Sequence, residues 1–193
     1  MSELEQAEKK PTQRAVFDVI KSSEFDPEFA QVVARSGADE IIQCFQCGTC
    51  TGSCPMGRVS AIRTRQLIRM AVLGLKDKVL TSDELWHCTT CGTCYDRCPR
   101  DLKVTEAIVV MRMLAVREGH IPPNLARIVG YVYQYGHAVP INEEIRNLRK
   151  RLGLSELPPT THSFPEALES VQKAMKATGI YETVIERGKP DRG

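Results

Sequence analysis

Two copies of one cysteine motif constrain the fold of this chain more than any other feature of its sequence. Residues 44–55 read CFQCGTCTGSCP, and residues 88–99 read CTTCGTCYDRCP. In each copy the successive cysteines are three, three and four positions apart, and a proline follows the last one. All eight cysteines of the chain lie in these two motifs. No thiol remains for another role, so the two copies must be interpreted together.

A disulfide framework explains these cysteines poorly. Thiols three residues apart rarely pair with one another, and the N-terminal MSELEQAEKK lacks the apolar segment of an export signal. A [4Fe–4S] cluster needs four thiolates, and in the two-cluster pattern C-x2-C-x2-C-x3-C-P the last cysteine binds the other cluster. The motifs therefore predict two [4Fe–4S] clusters with crossed ligands: Cys44, Cys47, Cys50 and Cys98 for the first, and Cys88, Cys91, Cys94 and Cys54 for the second.

A structural zinc site is the alternative, and it would make the chain a zinc-bound adaptor. Structural zinc is typically held by two CxxC pairs or by mixed cysteine and histidine sets. Three tandem cysteines followed by Cys-Pro, twice in one chain, do not suit a tetrahedral ion. The pattern therefore favours iron–sulfur clusters, and the metal content distinguishes the two interpretations.

Residues beside the cysteines are candidates for tuning such clusters. Gly48 and Gly92 follow the second cysteine of each motif, where glycine lets backbone N–H groups approach sulfur or simply permits a turn. His87 precedes Cys88 and is a candidate for coupling protonation to redox change, or a bystander. Three aromatic residues are candidates for shielding the clusters from water, with core packing as the alternative role of the tryptophan: Phe45, Trp86 and Tyr95.

The charged residues around the second motif carry a further hypothesis. Basic residues outnumber acidic ones between Arg58 and Arg117. This excess is suited to offset cluster charge, which would raise the reduction potential, or to form a docking face. Ordinary solvated helix faces are the alternative for any single one of these residues.

Helix signals run through most of the chain, and strand-like alternation is scarce. Asp26 and Pro27 have the types of an N-cap and a first-turn proline. Thr81 and Glu84 form a capping-box pattern that predicts a short helix leading into Cys88. Three stretches have the apolar content or spacing of helices: Glu28–Arg35, Arg58–Leu75 and Thr105–Glu118. Three residues of the C-terminal part are candidate N-caps: Asn124, Asn142 and Ser163.

These signals predict an all-α fold in which the two cysteine loops lie between helices. We expect a helical arm over residues 1–40, a two-cluster domain over residues 41–120 and a helical extension over residues 121–193. The segment Leu125–Tyr135 mixes apolar and tyrosine side chains. Such side chains are suited to burial, either against a partner protein or within the chain's own core.

Charge and motifs exclude several classes of function. The formal net charge is +2, so no strong field favours nucleic acid or an acidic membrane surface as a partner. No apolar run approaches the roughly 20 residues of a membrane span. The sequence has no GxGxxG dinucleotide loop, no Walker A loop and no recognisable nucleophile–base pair. We therefore expect a cytoplasmic electron-transfer protein without catalytic residues of its own.

Longer stretches around the motifs resemble a known family. FQCGTCTGSCP with RVSAIRTRQLIRMAVLGL, and then ELWHCTTCGTCYDRCPRDLKVTEAIVVMR, resemble the α-helical ferredoxin domain of the iron–sulfur subunits of succinate dehydrogenase and fumarate reductase. They are more closely similar to the C subunit of heterodisulfide reductase from methanogenic archaea. The specific resemblance covers roughly residues 40–120.

This resemblance implies an α-helical ferredoxin-like core and a place in a multi-subunit oxidoreductase. In that family, the C subunit receives electrons from the A subunit, which carries flavin and iron–sulfur clusters. It passes them to the catalytic B subunit, which reduces the mixed disulfide of coenzyme M and coenzyme B in methanogenesis. A hydrogenase or formate dehydrogenase is a further partner through the complex. Two alternatives stay open: a free ferredoxin-like carrier, or the iron–sulfur subunit of another dehydrogenase or reductase complex.

Overall fold

The computed structural model describes residues 20–186, and within this range the chain is helical and contains no strand. The all-α prediction is therefore confirmed. The outer parts of the two predicted extensions, residues 1–19 and 187–193, lie outside the described residues. The α-helices of the described part are α1 (Phe29–Arg35), α2 (Thr49–Gly52), α3 (Thr64–Val72), α4 (Lys76–Leu80), α5 (Thr93–Asp96), α6 (Val104–Arg117), α7 (Pro123–Tyr135), α8 (Glu143–Arg151) and α9 (Pro165–Ala177).

One hydrophobic core joins the helices before residue 120 to the cysteine loops. The helix α6 lies at its centre and contacts α1, α4 and α5. The core includes Phe29 of α1, Ile68 of α3 and Met111 of α6, each exposed by 2% or less. Four cysteines pack against it from the loops, and a fifth belongs to it: Cys44, Cys50, Cys88 and Cys98, and then Cys94. The cysteines are therefore held by the same packing that holds the helices together.

The C-terminal helices form a second layer with much less burial. The helix α7 packs against α9 and against a π-helix over Tyr181–Glu186, which also contacts α6. The rings of Tyr133 and Tyr181 lie 4.6 Å apart between their centroids. None of α7, α8 and α9 contributes a fully buried residue. In the described part of the chain, no helix has the length and apolar character needed to cross a membrane.

Several helix predictions are confirmed with small shifts of their ends. The predicted helix Glu28–Arg35 begins one residue later, at Phe29. The prediction of Asp26 as its N-cap is wrong, because Glu28 is the N-cap residue and the Asp26 carboxylate accepts the N–H of Glu28 in the turn before the helix. The predicted helix Thr105–Glu118 is α6. Asn142 is the N-cap of α8, where its side-chain oxygen accepts the N–H of Ile145 at 2.9 Å.

The prediction of one helix over Arg58–Leu75 is wrong, because only α3 in its centre is α-helical. The chain first forms a 3₁₀ turn over Pro55–Arg58 and then an irregular segment. In that segment the Ser60 hydroxyl donates to the carbonyl of Met56 and accepts the N–H of Ile62. A serine side chain that bonds to nearby backbone competes with helix formation.

The prediction of a capping box formed by Thr81 and Glu84 is also wrong. The Thr81 hydroxyl donates back to the carbonyl of Asp77, and the helix that leads into the second motif is a 3₁₀ helix over Asp83–His87. The Glu84 carboxylate instead accepts the N–H of Arg63 at 3.0 Å, just before α3 begins. A long-range contact therefore replaces the local cap that the sequence pattern predicts.

Two further N-cap predictions are wrong for a simpler reason. Asn124 lies inside the first turn of α7, which begins at Pro123. Ser163 ends a 3₁₀ turn, and α9 begins after it at Pro165. Proline suits the first position of a helix, because its missing N–H would have no partner there. The prolines therefore set both helix starts.

Candidate cluster-binding sites

The two cysteine motifs follow the same backbone path. In each motif the residue before the second cysteine has a left-handed backbone, with φ of 65° at Gln46 and 55° at Thr90. The residue after that cysteine is left-handed as well, with φ of 89° at Gly48 and 79° at Gly92. A short helix then begins, α2 in the first motif and α5 in the second. Side chains are strained at such φ values, so the turn itself explains the glycines.

The first cavity of interest is lined by the first three cysteines of the first motif. The last cysteine of the other motif lies in its wall as well. Two exposed arginines, Arg65 and Arg100, and the buried Ile68 complete its main lining. The cysteines that this cavity brings together are Cys44, Cys47, Cys50 and Cys98.

The second cavity repeats this arrangement, with three cysteines from the second motif and one from the first. Its remaining lining is apolar or uncharged, with Ile62 and Ile108 buried in its wall and Thr64 and Thr105 beside them. No charged side chain lines it among the described residues. The cysteines that it brings together are Cys54, Cys88, Cys91 and Cys94.

Each cavity therefore draws three cysteines from one motif and the fourth from the other. The helices α2 and α5, which carry the third cysteine of each motif, contact one another between the two cavities. Four thiols around a closed-in volume suit a cluster of soft metal ions, because thiolates are the preferred ligands of iron–sulfur clusters. Between residues 20 and 186, no three Cys, His, Asp or Glu side chains converge closely enough to share a single metal ion.

The thiols at equivalent positions have matching environments. Burial raises the pKa of the Cys50 thiol to about 11, and burial likewise raises the pKa of Cys94. The second cysteine of each motif is exposed, and hydrogen bonding with Thr49 and Thr93 lowers the pKa of Cys47 and of its counterpart Cys91, respectively. The thiols of Cys50 and Cys94 lose their protons readily only when a metal ion replaces the proton on sulfur. Metal binding and thiolate formation are therefore coupled.

Hydrogen bonds to sulfur distinguish the two sites. In the first motif the Gln46 side-chain amide donates to the Cys44 sulfur at 3.3 Å. In the second motif the backbone N–H of Thr90 donates to the Cys88 sulfur at 3.4 Å. The hydroxyl of Thr105 on α6 lies 3.2 Å from the sulfur of Cys94. Hydrogen bonds to ligand sulfurs are one means by which proteins set cluster potentials.

One residue beside the second motif has no sequence motif to mark it. Arg112 on α6 is half-buried, and its guanidinium donates from Nε to the carbonyl of Leu85 at 2.9 Å and from Nη2 to the carbonyl of Cys88. The same group lies 5.7 Å from the ring centroid of Trp86. The available signal was an arginine inside the apolar run IVVMRML of a helix predicted to be buried.

The other tuning candidates lie in different surroundings. Phe45 lines the first cavity but is 60% exposed, and Tyr95 is 41% exposed. Trp86 packs against the hydrophobic core, which fits the core-packing alternative. The Nδ1 atom of His87 is buried and has no hydrogen-bond partner among residues 20–186. A role of His87 in coupling protonation to redox change stays a prediction.

Comparisons with known proteins identify an iron–sulfur domain and a family. Residues 40–102 match the family model of a 4Fe-4S dicluster domain. The chain is 47% identical to the C subunit of the H(2):CoB-CoM heterodisulfide,ferredoxin reductase of Methanothermobacter thermautotrophicus, over 86% of this chain and 90% of that protein. It is 47% identical to the iron-sulfur C subunit of the CoB--CoM heterodisulfide reductase of Methanopyrus kandleri, over 82% and 86% of the two chains. It is 42% identical to the C subunit of the Ferredoxin:CoB-CoM heterodisulfide reductase of Methanosarcina mazei, over 83% and 98%.

Proposed function

The chain belongs to the C-subunit family of heterodisulfide reductases, and on that premise we propose that it relays electrons through two [4Fe–4S] clusters inside a cytoplasmic complex. The observation that carries this proposal is the pair of neighbouring four-thiol cavities in one hydrophobic core. Clusters of this kind supply reversible one-electron transfer when bound. The protein's part is to hold them close together and to set their surroundings.

The crossed ligand sets follow from the same observation. We assign the cavity with the two exposed arginines to the first cluster and the uncharged cavity to the second. Cys94 is buried and Cys50 is half-buried, whereas the exposed Cys47 and Cys91 each leave one edge of their site near the protein surface. Each site thus has one exposed edge, at Cys47 in the first and at Cys91 in the second. This arrangement suits electron entry at one cluster and electron exit at the other. The proposed ligands are Cys44, Cys47, Cys50 and Cys98 for the first cluster, and Cys54, Cys88, Cys91 and Cys94 for the second.

The partners follow from the family. We propose that this chain receives electrons from the flavin- and cluster-bearing subunit of the complex and delivers them to its catalytic subunit. The latter would reduce the disulfide of coenzyme M and coenzyme B. Relatives of this chain are named for H(2), formate or ferredoxin in addition to the heterodisulfide. A hydrogenase or formate dehydrogenase is therefore the proposed source of electrons for the complex.

The C-terminal extension is the proposed partner interface. The helices α7, α8 and α9 carry no fully buried residue, although each has an apolar face. Large apolar side chains stay exposed there, among them Leu148 at 45% and Phe164 at 62%. Residues 121–193 would thus complete their burial against another protein of the complex, with residues 41–120 as the two-cluster domain and residues 1–40 as an arm.

Anaerobic purification of this chain from its native host, through an affinity tag, tests the proposal. We expect a large complex that contains flavin and in which this chain contributes about eight irons. A lone 21.6 kDa chain with the same iron would favour a diffusible ferredoxin instead. A chain that contains zinc and no iron would contradict the proposal altogether.

Two substitutions of exposed apolar residues test the interface within the same purification. Phe164→Lys lies on the extension, and Val59→Lys lies on the cluster domain, where the side chain is 77% exposed. We expect the first variant to lose its partner subunits and to keep its iron, and the second to keep both. Loss of the partners only in Val59→Lys would contradict an interface on the extension.

A further inference from the structure

The guanidinium of Arg112 is a long-range side-chain clamp on the backbone of the segment that enters the second motif. It donates to the carbonyls of Leu85 and Cys88, which lie 27 and 24 positions earlier in the sequence. The Trp86 ring between them lies 5.7 Å from the same group. The planar guanidinium thus fixes both ends of the 85–88 segment and, with it, the backbone of the first cysteine of the second site.

This guanidinium is also a half-buried positive charge without a carboxylate partner in the described part of the chain. Arginine stays protonated in proteins, and Arg112 is half-buried. No carboxylate lies within ion-pair distance of it among residues 20–186. Partial burial of a charge without a counter-charge costs free energy, so a negative group nearby would stabilise it. The nearest candidate is the second cysteine site, through Cys88, since four thiolates around an iron–sulfur core leave a net charge of about −2.

The first site differs in this respect. Its two arginines, Arg65 and Arg100, are exposed, so water and salt screen their charges. Arg112 is half-buried and bonds to the Cys88 backbone, so its charge is screened less than the charges of these two exposed arginines. The two sites therefore have the same thiol arrangement but different electrostatic surroundings.

We infer that Arg112 is a positioning residue of the second site, which holds the Cys88 backbone and raises the reduction potential of the cluster bound there. The inference rests on the proposed function, because it requires a cluster on Cys54, Cys88, Cys91 and Cys94. Adding an electron makes the site more negative, and a nearby fixed positive charge favours that state. Removal of the charge therefore lowers the potential of the second site and leaves the first site nearly unchanged.

The test is an EPR-monitored redox titration of the anaerobically purified chain and its variants, with iron content measured in parallel. The signal of the second site is identified by its selective loss in Cys91→Ser. Arg112→Gln removes the charge, and Arg112→Lys keeps the charge but not the planar fork. Arg117→Gln is the matched control, because Arg117 is exposed on the same helix five residues further along and contacts neither cysteine site.

We expect Arg112→Gln to shift the reduction equilibrium of the second site about tenfold toward the oxidised state, which is about 59 mV for one electron. Arg112→Lys should recover most of this shift, and Arg117→Gln should show none. If Arg112→Gln fails to assemble the second cluster while the first is retained, the holding role is supported. In that case a wild-type potential of the second site in Arg112→Lys supports the role of the charge. A tenfold shift of the reduction equilibrium in Arg112→Lys overturns that role.

Other results count against the inference. A wild-type potential in Arg112→Gln overturns it, and so does an equal loss of both clusters, which would indicate a general folding role. Failure of the proposed function is recognised separately. In that event the wild-type protein itself would lack iron or show a single cluster signal, before any variant is compared.

Discussion

The two cysteine motifs share their cysteine spacing and their backbone conformation, but different side chains surround them. In the first, the Gln46 side chain donates to a ligand sulfur, and exposed arginines lie along the cavity. In the second, helix α6 supplies both Thr105 beside Cys94 and Arg112 on the carbonyl of Cys88. The lining of the second cavity is uncharged. A duplicated motif has thus been placed in two unlike environments.

This difference teaches which properties belong to the motif and which to the fold. The spacing determines the left-handed turns and the positions of the thiols, and these are the same in both copies. The surroundings depend on which helix passes by, and α6 contributes its hydroxyl and its guanidinium to one copy alone. Four pairs of substitutions separate the shared properties from the different ones.

Substitution of the fourth cysteine of each motif should have the largest effect on cluster content. Cys54→Ser should remove the cluster held by the second motif, and Cys98→Ser the cluster held by the first, because each cysteine lies in the opposite cavity. EPR of the reduced protein and iron content measure the loss, which should be about half of the iron in each variant. If Cys54→Ser instead removes the first cluster, the crossed assignment is wrong.

Truncation of a buried isoleucine in each cavity wall should have the next largest effect. Ile68→Ala at the first site and Ile108→Ala at the second each remove a side chain that is 1% exposed. A cavity of this kind typically costs about 2–5 kcal/mol of stability. Thermal unfolding of the iron-loaded proteins should show both losses, together with faster release of iron from the site that was altered. Equal release from both sites in each variant would show that the two cavities are not independent.

The glycines after the second cysteines should behave alike. Gly48→Ala and Gly92→Ala each place a Cβ on a left-handed backbone, which costs about 1–2 kcal/mol. The space around them is not limiting, because the nearest atom to an added Cβ at Gly48 is 3.6 Å away and at Gly92 nothing lies within 4 Å. Denaturation of the two variants should therefore give similar losses. If only one of the two variants lost stability, the left-handed backbone common to both motifs would not be the reason for the glycines.

Thr105→Val should have the smallest effect and should be confined to the second site. Valine keeps the shape of threonine and removes the hydroxyl that lies 3.2 Å from the Cys94 sulfur. One lost hydrogen bond is worth about 1 kcal/mol, so a severalfold shift of the second site toward the oxidised state is expected. Gln46→Ala is the counterpart at the first site, where the amide donates to Cys44. Redox titration that shows a shift at the opposite site in either variant would contradict this assignment.

Much of the candidate site could be predicted from the sequence because its information is local. Cysteine spacing and the closing proline indicate the ligand sets, and apolar content identifies α6 within one residue at each end. The glycines mark the left-handed turns that follow the second cysteines.

The rest depends on contacts between distant residues. The start of α3 is set by Glu84, which bonds to Arg63 across 21 positions. The role of Arg112 depends on carbonyl groups, and every residue type carries a carbonyl. No pattern of side chains could mark such an acceptor. The aromatic residues beside the cysteines likewise gave no sign of whether they would be covered, and Phe45 proved to be largely exposed.

The position of Cys98 in the wall of the first cavity has a consequence for biosynthesis. The first three cysteines of that cavity leave the ribosome well before their fourth partner is made. At roughly 5–20 residues per second, the chain from Cys50 to Cys98 takes about 2–10 s to synthesise. During most of that interval the nascent chain presents the four cysteines of the first motif, and no finished site protects them. With the crossed ligands proposed above, iron loading of either site would follow translation of the second motif, and both sites would be completed almost together.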